Sequence, residues 1–408
     1  MKYKRYDKYK ETGVEWLNEI PESWEVKRNK FSASYQKGKN PSELGDYVPN
    51  SLPYLSMEYL RGNSNEAMQF AIPSSREVIS EEGDILLLWD GANAGEYIKS
   101  KSGILCSTTA RAKVKKNVTS SFYWFLMKSF ERNLRGLTIG MGIPHVNGDV
   151  LNNSSIPLPP IHEQKEIADY LDKKTSKIDL LLKKLERQKE LLVEKRSAII
   201  NKAVTRGLNP DAKMKKTGIE WMSEVPKHWK VKRLKFIASF NSGENITSDS
   251  INETGDYKVY GGNGLRGYTS NYTHDGHFVL IGRQGALCGN INYAKGKFWA
   301  SEHAVVSTLV SEYDIFWFGE VLRIMNLNQY SQSSAQPGLA VDYIKNLFIP
   351  VPTQDEQKAI SEYLDKQTTK IDLLQSKTDR QIELLKEYRT SLIASAVTGQ
   401  IKITSSRN

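Results

Sequence analysis

Two short motifs are the residues of this chain that most resemble catalytic machinery. Glu163-Gln164-Lys165 and Glu356-Gln357-Lys358 each contain a Glu-x-Lys pair, which is part of a common nuclease signature. Both motifs closely follow proline and begin a run of helical periodicity, and no acidic strand precedes them. A helix start, where acidic side chains interact favourably with the helix dipole, is therefore the favoured interpretation.

The other candidates for chemistry are sparse. His274 and His277 form an isolated pair beside glycine, for which we expect a surface loop and not a metal site. Cys106 and Cys288 have no Cys or His at metal-ligand spacing, so neither a disulfide framework nor a zinc site is indicated. We find no phosphate-binding Gly-x-x-x-x-Gly-Lys-Ser/Thr loop, no Gly-x-Gly-x-x-Gly after a predicted strand, and no Asn or Asp before Pro-Pro-Tyr. We therefore expect no catalytic residue and no metal ligand.

Two sequence blocks are repeated, with dissimilar sequence between them. Residues 12–40 recur at 217–245 with 16 of 29 positions identical, and residues 156–205 recur at 349–398 with 29 of 50 identical. The intervening segments, 41–155 and 246–348, have largely diverged. This pattern predicts a tandem repeat in which one scaffold carries two unlike modules.

The second repeated block has the clearest helical pattern. Its apolar residues recur at intervals of seven, the spacing of a coiled-coil core. The predicted core residues are Leu171, Ile178, Leu185, Leu192 and Ile199 in the first copy and Leu364, Ile371, Leu385 and Leu392 in the second. Leu181 and Leu182 are expected to fill part of the alternate seam, and Thr378 interrupts the later copy. Thr353 and Glu356 have capping-box spacing, and Gly207 and Gly399 lie near the predicted helix ends.

An exposed stripe of leucine and isoleucine needs a partner, and the chain carries two matching stripes. The simpler alternative is that each helix packs on its own domain. We favour an antiparallel intramolecular coiled coil, related by a pseudo-twofold axis, with the two modules at opposite ends of a rod of roughly 60 Å.

The modules are predicted to be strand-rich α+β domains. Strands at 84–89 and 278–281 are predicted to lead into glycine-rich turns at 90–95 and 282–285, and helices are predicted at 121–135 and 313–326. The start of each domain repeats a Trp, Pro, Trp pattern that favours packing over base stacking. The basic runs that follow, 27–30 and 232–235, are either solvated surface or phosphate contacts.

The formal net charge of +10 invites a nucleic-acid interpretation, but the charge lies mainly outside the divergent modules. Residues 41–155 contain 11 basic and 12 acidic residues, and residues 246–348 contain 7 and 9. If the modules touch DNA, they do so through local basic clusters and polar side chains, or a partner supplies much of the phosphate attraction.

The repeated motifs resemble the specificity subunits of type I restriction-modification enzymes. The resemblance rests on Thr217-Gly-Ile-Glu-Trp and Val225-Pro-Lys-His-Trp, on Pro350-Val-Pro-Thr-Gln-Asp-Glu-Gln-Lys, and on Tyr363-Leu-Asp and Ala396-Val-Thr-Gly, with matching copies earlier in the chain. It implies two mixed α/β target recognition domains, 1–155 and 207–348, with short starting segments 12–40 and 217–245. The conserved helices at 156–206 and 349–408 would form the coiled coil.

The resemblance also implies partners. Each target recognition domain would read one half of a bipartite site in double-stranded DNA. The coiled coil would set the spacer and dock two methyltransferase subunits, through which nuclease-translocase subunits join. S-adenosylmethionine, ATP and magnesium are expected in those partner subunits, and no cofactor is expected in this chain.

Candidate DNA contacts are polar or basic residues in or near the glycine-rich turns and the basic strands. Base contacts are expected from Asp90, Asn93, Arg283, Gln284 and Asn290. Phosphate contacts are expected from Lys99, Lys101, Arg111, Lys113, Lys115, Lys116, Arg266, Lys295 and Lys297. For any one of them, ordinary surface is an open alternative.

A rival hypothesis is a scaffold that binds protein partners through the coiled coil and does not bind DNA. A nuclease that uses the Glu-x-Lys residues is a weaker third alternative. Without an apolar signal region or a bilayer-length apolar run, the chain is expected to be cytoplasmic and not membrane-bound.

Overall fold

The computed structural model of the chain describes residues 4–62, 69–140, 142–285, 287–310, 312–331 and 338–403. These residues form two compact units, 1–184 with 381–408, and 185–380. Two long helices, at 161–206 and 354–397, are each divided between the units, so that each unit contains one segment of each helix. The predicted domain boundaries at residues 155, 206 and 348 remain a prediction, because the two units are divided within the long helices and not at their ends.

The described residues of the first unit form two four-stranded sheets and two strand pairs. Its strands are β1 Tyr9–Glu11, β2 Glu19–Pro21, β3 Glu25–Arg28, β4 Ala33–Lys37, β5 Leu52–Leu55, β6 Phe70–Ala71, β7 Ile79–Ser80, β8 Ile85–Leu88, β9 Tyr97–Lys99, β10 Gly103–Leu105, β11 Thr109–Val114 and β12 Ser155–Leu158. One sheet is antiparallel with the order β4-β11-β8-β9, and the other has the order β6-β5-β10-β7. The helices are α1 Met57–Leu60, α2 Ser120–Gly136, α3 Gly148–Asn153 and α4 Ile161–Arg206.

In the second unit, the part that the structure describes has one six-stranded sheet and two strand pairs. Its strands are β13 Met214–Ile219, β14 Met222–Pro226, β15 Lys230–Arg233, β16 Ala238–Ser242, β17 Tyr257–Gly261, β18 Gly264–Thr269, β19 His274–Gly282, β20 Ile291–Ala300, β21 Ala304–Leu309 and β22 Phe348–Val351. The sheet order is β16-β21-β19-β20-β17-β18. The helices are α5 Ile315–Ile324, α6 Val341–Ile344 and α7 Gln354–Val397.

The two units share one framework. The order β4-β11-β8-β9 in the first corresponds to β16-β21-β19-β20 in the second, and the strand pairs β3-β12 and β15-β22 also correspond. The predicted tandem α+β repeat is therefore confirmed, as are the strands at 84–89 and 278–281 and the helices near 121–135 and 313–326. The units differ where the first adds its second small sheet and the second extends its sheet with the β17-β18 hairpin.

Helices α4 and α7 run antiparallel where they pair. In the second unit Lys189 forms an ion pair with Asp379, and seven residues further along α4 Arg196 pairs with Asp372, seven residues back along α7. This antiparallel direction of the two helices is the one predicted for the coiled coil. Leu192 and Ile371, on the same segments of the two helices, are buried, as expected for a coiled-coil seam.

The structure buries most of the expected seam. Leu171, Ile178, Leu185, Leu192, Leu364, Ile371 and Leu392 are buried, whereas Ile199 and Leu385 are half-buried. Near the end of α4 burial moves from Ile199 to Ile200, because this turn packs in the core of the second domain as well. Leu181, expected in a seam, is exposed, and Thr378 is buried with its hydroxyl donating to the Leu374 carbonyl.

The Glu-x-Lys motifs have a structural role at the starts of α4 and α7. Glu163 accepts a hydrogen bond from Trp24 Nε1 at 3.0 Å, and Glu356 accepts one from Trp229 Nε1 at 3.2 Å. Both tryptophans are buried, so Trp24 and Trp229 are packing residues, as predicted. Thr353 and Glu356 form the predicted capping box.

Gln164 and Gln357, inside the same motifs, join the helices to the domains. Each is buried, and each Nε2 donates to a proline carbonyl, that of Pro159 or Pro352. Each Oε1 accepts from the backbone N–H at the start of the domain helix, Thr119 N before α2 and Asp314 N before α5. The helix-start interpretation of both motifs is thus confirmed.

Two expectations about the second domain were wrong. His274 and His277 lie in strand β19, not in a loop, and His274 stacks on Phe298. Burial lowers the pKa of both imidazoles. A Gly-x-Gly-x-x-Gly motif at 262–267 does follow strand β17, but it forms the turn into β18 and not the start of a helix, so it lacks the dinucleotide-binding context.

Candidate nucleic-acid interface

Each unit has the same loop after the same strand of its sheet. Residues 89–95 follow β8 and residues 283–289 follow β19. Gly95 N donates to the Leu88 carbonyl at 2.8 Å, and Gly289 N donates to the Gly282 carbonyl at 2.7 Å, which closes two loops of equal length. The predicted glycine-rich turns are therefore one structural element present twice.

The loops are also anchored in the same way on a distant segment. Asp90 forms an isolated antiparallel bridge with His145, and Gln284 forms one with Gly338. One residue earlier, the Trp89 carbonyl accepts from Val146 N and the Arg283 carbonyl accepts from Leu339 N, both at 2.9 Å. Asp90 and Gln284 therefore occupy equivalent backbone positions.

Different side chains hold the loop in the first unit. Asp90 Oδ2 lies 2.7 Å from Lys37 Nζ, at the end of strand β4, and both side chains are partly exposed. Asn93 Oδ1 accepts from Arg135 Nη2 at 3.5 Å, from the last turn of α2. The first loop thus presents a carboxylate beside an ammonium group.

In the second unit the loop borders an open depression. Gln284 Oε1 lies 3.1 Å from His303 Nδ1, and His303 Nε2 lies 3.0 Å from Glu302 Oε1. Arg283 Nη1 donates to Ser242 Oγ at 3.1 Å. The depression has a volume of about 460 Å³ and is lined by Gly262, Asn263, Arg266, Gln284, Gly285, Leu287 and His303.

Arg266 and Asn290, which the sequence analysis also predicted as DNA contacts, lie at this depression. Arg266 is exposed on β18 and lines the depression. Asn290 Nδ2 donates to Asn263 Oδ1 at 3.1 Å, which places it beside the depression. The structure therefore brings together Arg266, Gln284 and Asn290, with Arg283 adjacent to them in the loop.

Several predicted phosphate contacts in the first domain are engaged within the protein. Lys101 Nζ donates to the Tyr59 carbonyl at 2.7 Å, Lys115 Nζ to the Lys30 carbonyl at 2.7 Å, and Arg111 Nη1 to the Ile79 carbonyl at 2.6 Å. Lys99 Nζ donates to the Gly83 carbonyl at 3.2 Å. Lys113 and Lys116 have exposed side chains. These residues do not gather around the loop.

Lys295 and Lys297 lie apart from the loop of the second unit. Both are exposed on β20, in register with His277 and Asp275, well along the strand from residue 289. Lys297 Nζ sits 4.6 Å from the Tyr272 ring centroid, and its interaction with Tyr272 raises the pKa of Lys297. Their role as phosphate contacts stays a prediction.

Sequence reasoning missed the residues that orient the loop side chains. Lys37, His303 and Glu302 come from strands or turns far from the loops along the chain. One indication was available in the sequence. When the two copies of the first repeated block are aligned, Lys37 matches Ser242, and a glycine follows each. A Cβ on Gly38 or Gly243 would lie 2.3 Å from a backbone carbonyl oxygen, so this strand end is closely packed in both units.

Neither a metal site nor a membrane span is found in the part of the chain that the structure describes. Among those residues no group of three or more His, Cys, Asp or Glu side chains is placed to hold a metal ion. None of the described helices is both long and apolar enough to cross a bilayer.

Comparison with known proteins identifies the framework. The family described as "Type I restriction modification DNA specificity domain" matches residues 21–190 and 226–384. The chain belongs to this family. The two matched regions each include one of the repeated loops described above.

Two relatives illustrate how far the similarity to family members extends. The type I restriction enzyme MjaVIII specificity subunit of Methanocaldococcus jannaschii is 31% identical over 97% of this chain and 97% of its own length. The EcoprrI specificity subunit of Escherichia coli is 45% identical over 34% of this chain and 35% of its own.

Solved structures agree on the specificity-subunit fold. A chain from a structural study of complex assembly and conformational transition in the type I R-M system superposes with a TM-score of 0.72 at 16% identity, covering 93% of this chain and 98% of that chain. The HsdS subunit from Thermoanaerobacter tengcongensis gives a TM-score of 0.52 at 16% identity, covering 94% and 98%.

Proposed function

We propose that this chain is the sequence-specific DNA-recognition subunit of a type I restriction-modification complex, and that each target recognition domain reads one half of a bipartite site. The supporting observation is the pair of equivalent loops, which have one backbone and different polar side chains. A constant framework with exchanged side chains is what two unrelated half-sites require, because base edges are distinguished by donor and acceptor patterns.

The charge distribution is consistent with a shared DNA interface. Both modules are close to neutral, so base contacts from the loops need phosphate contacts from elsewhere. Partner subunits that surround the DNA would supply them. A local cation of this chain such as the exposed Arg266 then fixes register more than overall affinity.

The helices carry exposed leucines at equivalent positions in the two units, and we assign each set of three to a docking surface for these partners. In the first unit Leu180, Leu181 and Leu384 are exposed by 56%, 44% and 46%. Their equivalents in the second unit, Leu373, Leu374 and Leu191, are exposed by 55%, 38% and 48%. Two matching apolar surfaces on one chain favour docking of two copies of one partner, here two methyltransferase subunits.

In this function the chain itself contributes recognition and no bond-making step. The methyltransferase subunits would bind S-adenosylmethionine, and nuclease-translocase subunits, joined through them, would use ATP and magnesium. The motifs that first suggested chemistry, Glu163 to Lys165 and Glu356 to Lys358, are engaged in helix starts, which agrees with a non-catalytic subunit.

Reconstitution tests the proposal. The chain, assembled with the methyltransferase subunit of its host and given S-adenosylmethionine, should methylate adenine in one bipartite sequence. Exchange of residues 41–155 for the matching segment of another specificity subunit should alter one half-site only. Methylation without sequence preference would overturn the proposal, and assembly with protein partners but no DNA binding would favour the scaffold alternative.

The spacer function has its own test. Four residues inserted near Leu185 in α4 alone should disrupt pairing with α7, because every later core residue is displaced around the helix. A matched insertion in both helices should restore assembly and lengthen the spacer between the half-sites. An unchanged spacer in the doubly extended protein would contradict the spacer role.

A further inference from the structure

We propose that Asp90 and Gln284 determine base identity at one position of each half-site, Asp90 together with Lys37 selecting a C·G pair and Gln284 selecting an A·T pair. This inference rests on the proposed function and extends it to individual residues. It starts from the equivalence of their two loops, in which hydrogen bonds at both ends are the same.

The loop backbone has the same restrictions in both domains. Gly91 and Gly285 have φ of 102° and 83°, and Gly95 and Gly289 have φ of 91° and 83°, values that favour glycine. A Cβ on Gly95 would lie 2.9 Å from Arg135 Cγ, and one on Gly289 would lie 2.5 Å from Asn328 N. At these glycines the loop backbone is therefore restricted in the same way in both domains, independently of what the loop recognises.

The two loops differ in hydrogen-bonding groups where side chains are more exposed, and both carry a small residue where the side chain is buried. The inward-facing residues Ala94 and Cys288 are both 3% exposed and small. At the outward-facing position the two domains carry different hydrogen-bonding groups, the partly exposed carboxylate of Asp90 and the exposed amide of Gln284. A small residue kept on the inward side and a different hydrogen-bonding group on the outward side are expected when one loop framework serves two different ligands.

Both side chains are held in place before any ligand arrives. Lys37 Nζ is 2.7 Å from Asp90 Oδ2, while His303, itself 3.0 Å from Glu302 Oε1, is 3.1 Å from Gln284 Oε1. A side chain that is already oriented loses less conformational entropy on binding. Support of this kind from another segment of the chain is what a preorganised recognition residue requires.

The chemistry of each group selects a base pair. The Asp90 carboxylate can only accept, which suits the N4 amino group of cytosine, while the adjacent Lys37 ammonium can donate to O6 or N7 of the paired guanine. The Gln284 amide can accept from N6 and donate to N7 of adenine. The oriented pair in one domain and the oriented amide in the other therefore match different base pairs.

Two reciprocal substitutions test the inference in the assembled methyltransferase complex. Asp90→Asn should shift preference from C·G towards A·T at one position of the first half-site, and Gln284→Glu should shift it from A·T towards C·G in the second. We expect the ratio of methylation rates on the two base pairs to change roughly 5- to 150-fold, the range of a good bidentate base contact. Methylated sites are identified by sequencing a library with randomised half-sites.

Each variant serves as the control for the other, because the half-site of the unaltered domain should not change. Thr308→Ala, an exposed change on β21 of the second domain, should leave both half-sites unchanged. Where a variant complex methylates too slowly, competitive binding to the same library gives the base preference directly. Altered preference at any other position, or unaltered preference in either variant, overturns the inference.

Failure of the inference and failure of the proposed function give different results. A wild-type complex without sequence preference overturns both. A wild-type complex with a defined bipartite site, whose preference survives Asp90→Asn and Gln284→Glu, overturns the assignment of these residues alone.

Discussion

Arg389 of α7 forms an ion pair with Asp179 of α4, with 2.8 Å between Nε and Oδ1. Asp179 lies ten residues before Lys189, and Arg389 lies ten residues after Asp379, the partner of Lys189. The pair in the first unit therefore has the same antiparallel register as the pairs in the second. A single register within both units is expected if the two helices evolved from one duplicated segment.

Register and stability should depend on different residues of the helix pair. Arg389 and Asp179 are partly exposed, at 32% and 51%, so Arg389→Ala should lower the free energy of unfolding by less than about 1 kcal/mol. Leu171 is fully buried, and Leu171→Ala should lower it by about 2–5 kcal/mol. Urea unfolding of the two variants measures the difference. Equal losses would contradict this division.

A buried tyrosine network should stabilise only the first domain. Tyr35 Oη lies 2.6 Å from both Tyr97 Oη and Tyr123 Oη, and Tyr123 donates to Asn29 Oδ1 at 2.8 Å. Tyr35→Phe removes the hydroxyl that both tyrosines contact, leaves the buried Tyr97 hydroxyl without this partner and should cost about 1–3 kcal/mol of unfolding free energy. Burial raises the pKa of Tyr97 and Tyr123, so the network stays protonated at neutral pH.

The second domain supplies the matched control for that substitution. Leu234, Phe240 and Phe318 stand where the first domain has Asn29, Tyr35 and Tyr123, so the equivalent core is apolar. Phe240→Tyr should be destabilising there by about 1–3 kcal/mol, because the new hydroxyl has no buried partner. Urea unfolding checks both variants, and a neutral effect of Tyr35→Phe would show that the network contributes nothing net.

Stability at acid pH should depend on Glu356. Desolvation raises the pKa of this carboxyl, but hydrogen bonds from His228, Trp229 and Thr353 outweigh it and hold the pKa below its ordinary value. A carboxyl with a lowered folded pKa stabilises the protein above its unfolded pKa, and this contribution is lost as the pH falls through the folded pKa. Glu356→Gln should therefore reduce the loss of unfolding free energy between about pH 6 and pH 3. Identical pH dependence in both proteins would contradict this role.

The elements that the sequence predicted best are those set by local patterns. Heptad spacing located α4 and α7, Thr353 and Glu356 located a helix start, and glycines located the loops after β8 and β19. His274 was misjudged because a histidine beside glycine gives no local indication of a strand, whereas its burial comes from Phe298 on the neighbouring strand.

Residues brought together by long-range pairing could not be predicted in the same way. Lys37 reaches Asp90 only because β4, β11 and β8 are neighbours in one sheet, and His303 reaches Gln284 because β21 is adjacent to β19. Sequence spacing carries no information about such contacts until the strand order is known. The loop was thus predictable, but not the side chains that orient it.

The exposed leucines should control partner binding without affecting the fold. Changing Leu180, Leu181 and Leu384 to Glu removes one apolar surface, and changing Leu373, Leu374 and Leu191 removes its equivalent. Since all six side chains are exposed, unfolding should change little, whereas each set should remove one bound methyltransferase subunit. Analytical ultracentrifugation with the methyltransferase should give two bound subunits for the wild type, one for either set of substitutions and none for both sets together.

Buried leucines of the same helices supply the control. Glu substitutions at Leu171 and Leu364 would unfold the helices instead, so circular dichroism separates lost docking from lost structure. Undiminished stoichiometry in a folded six-site variant would rule out this surface.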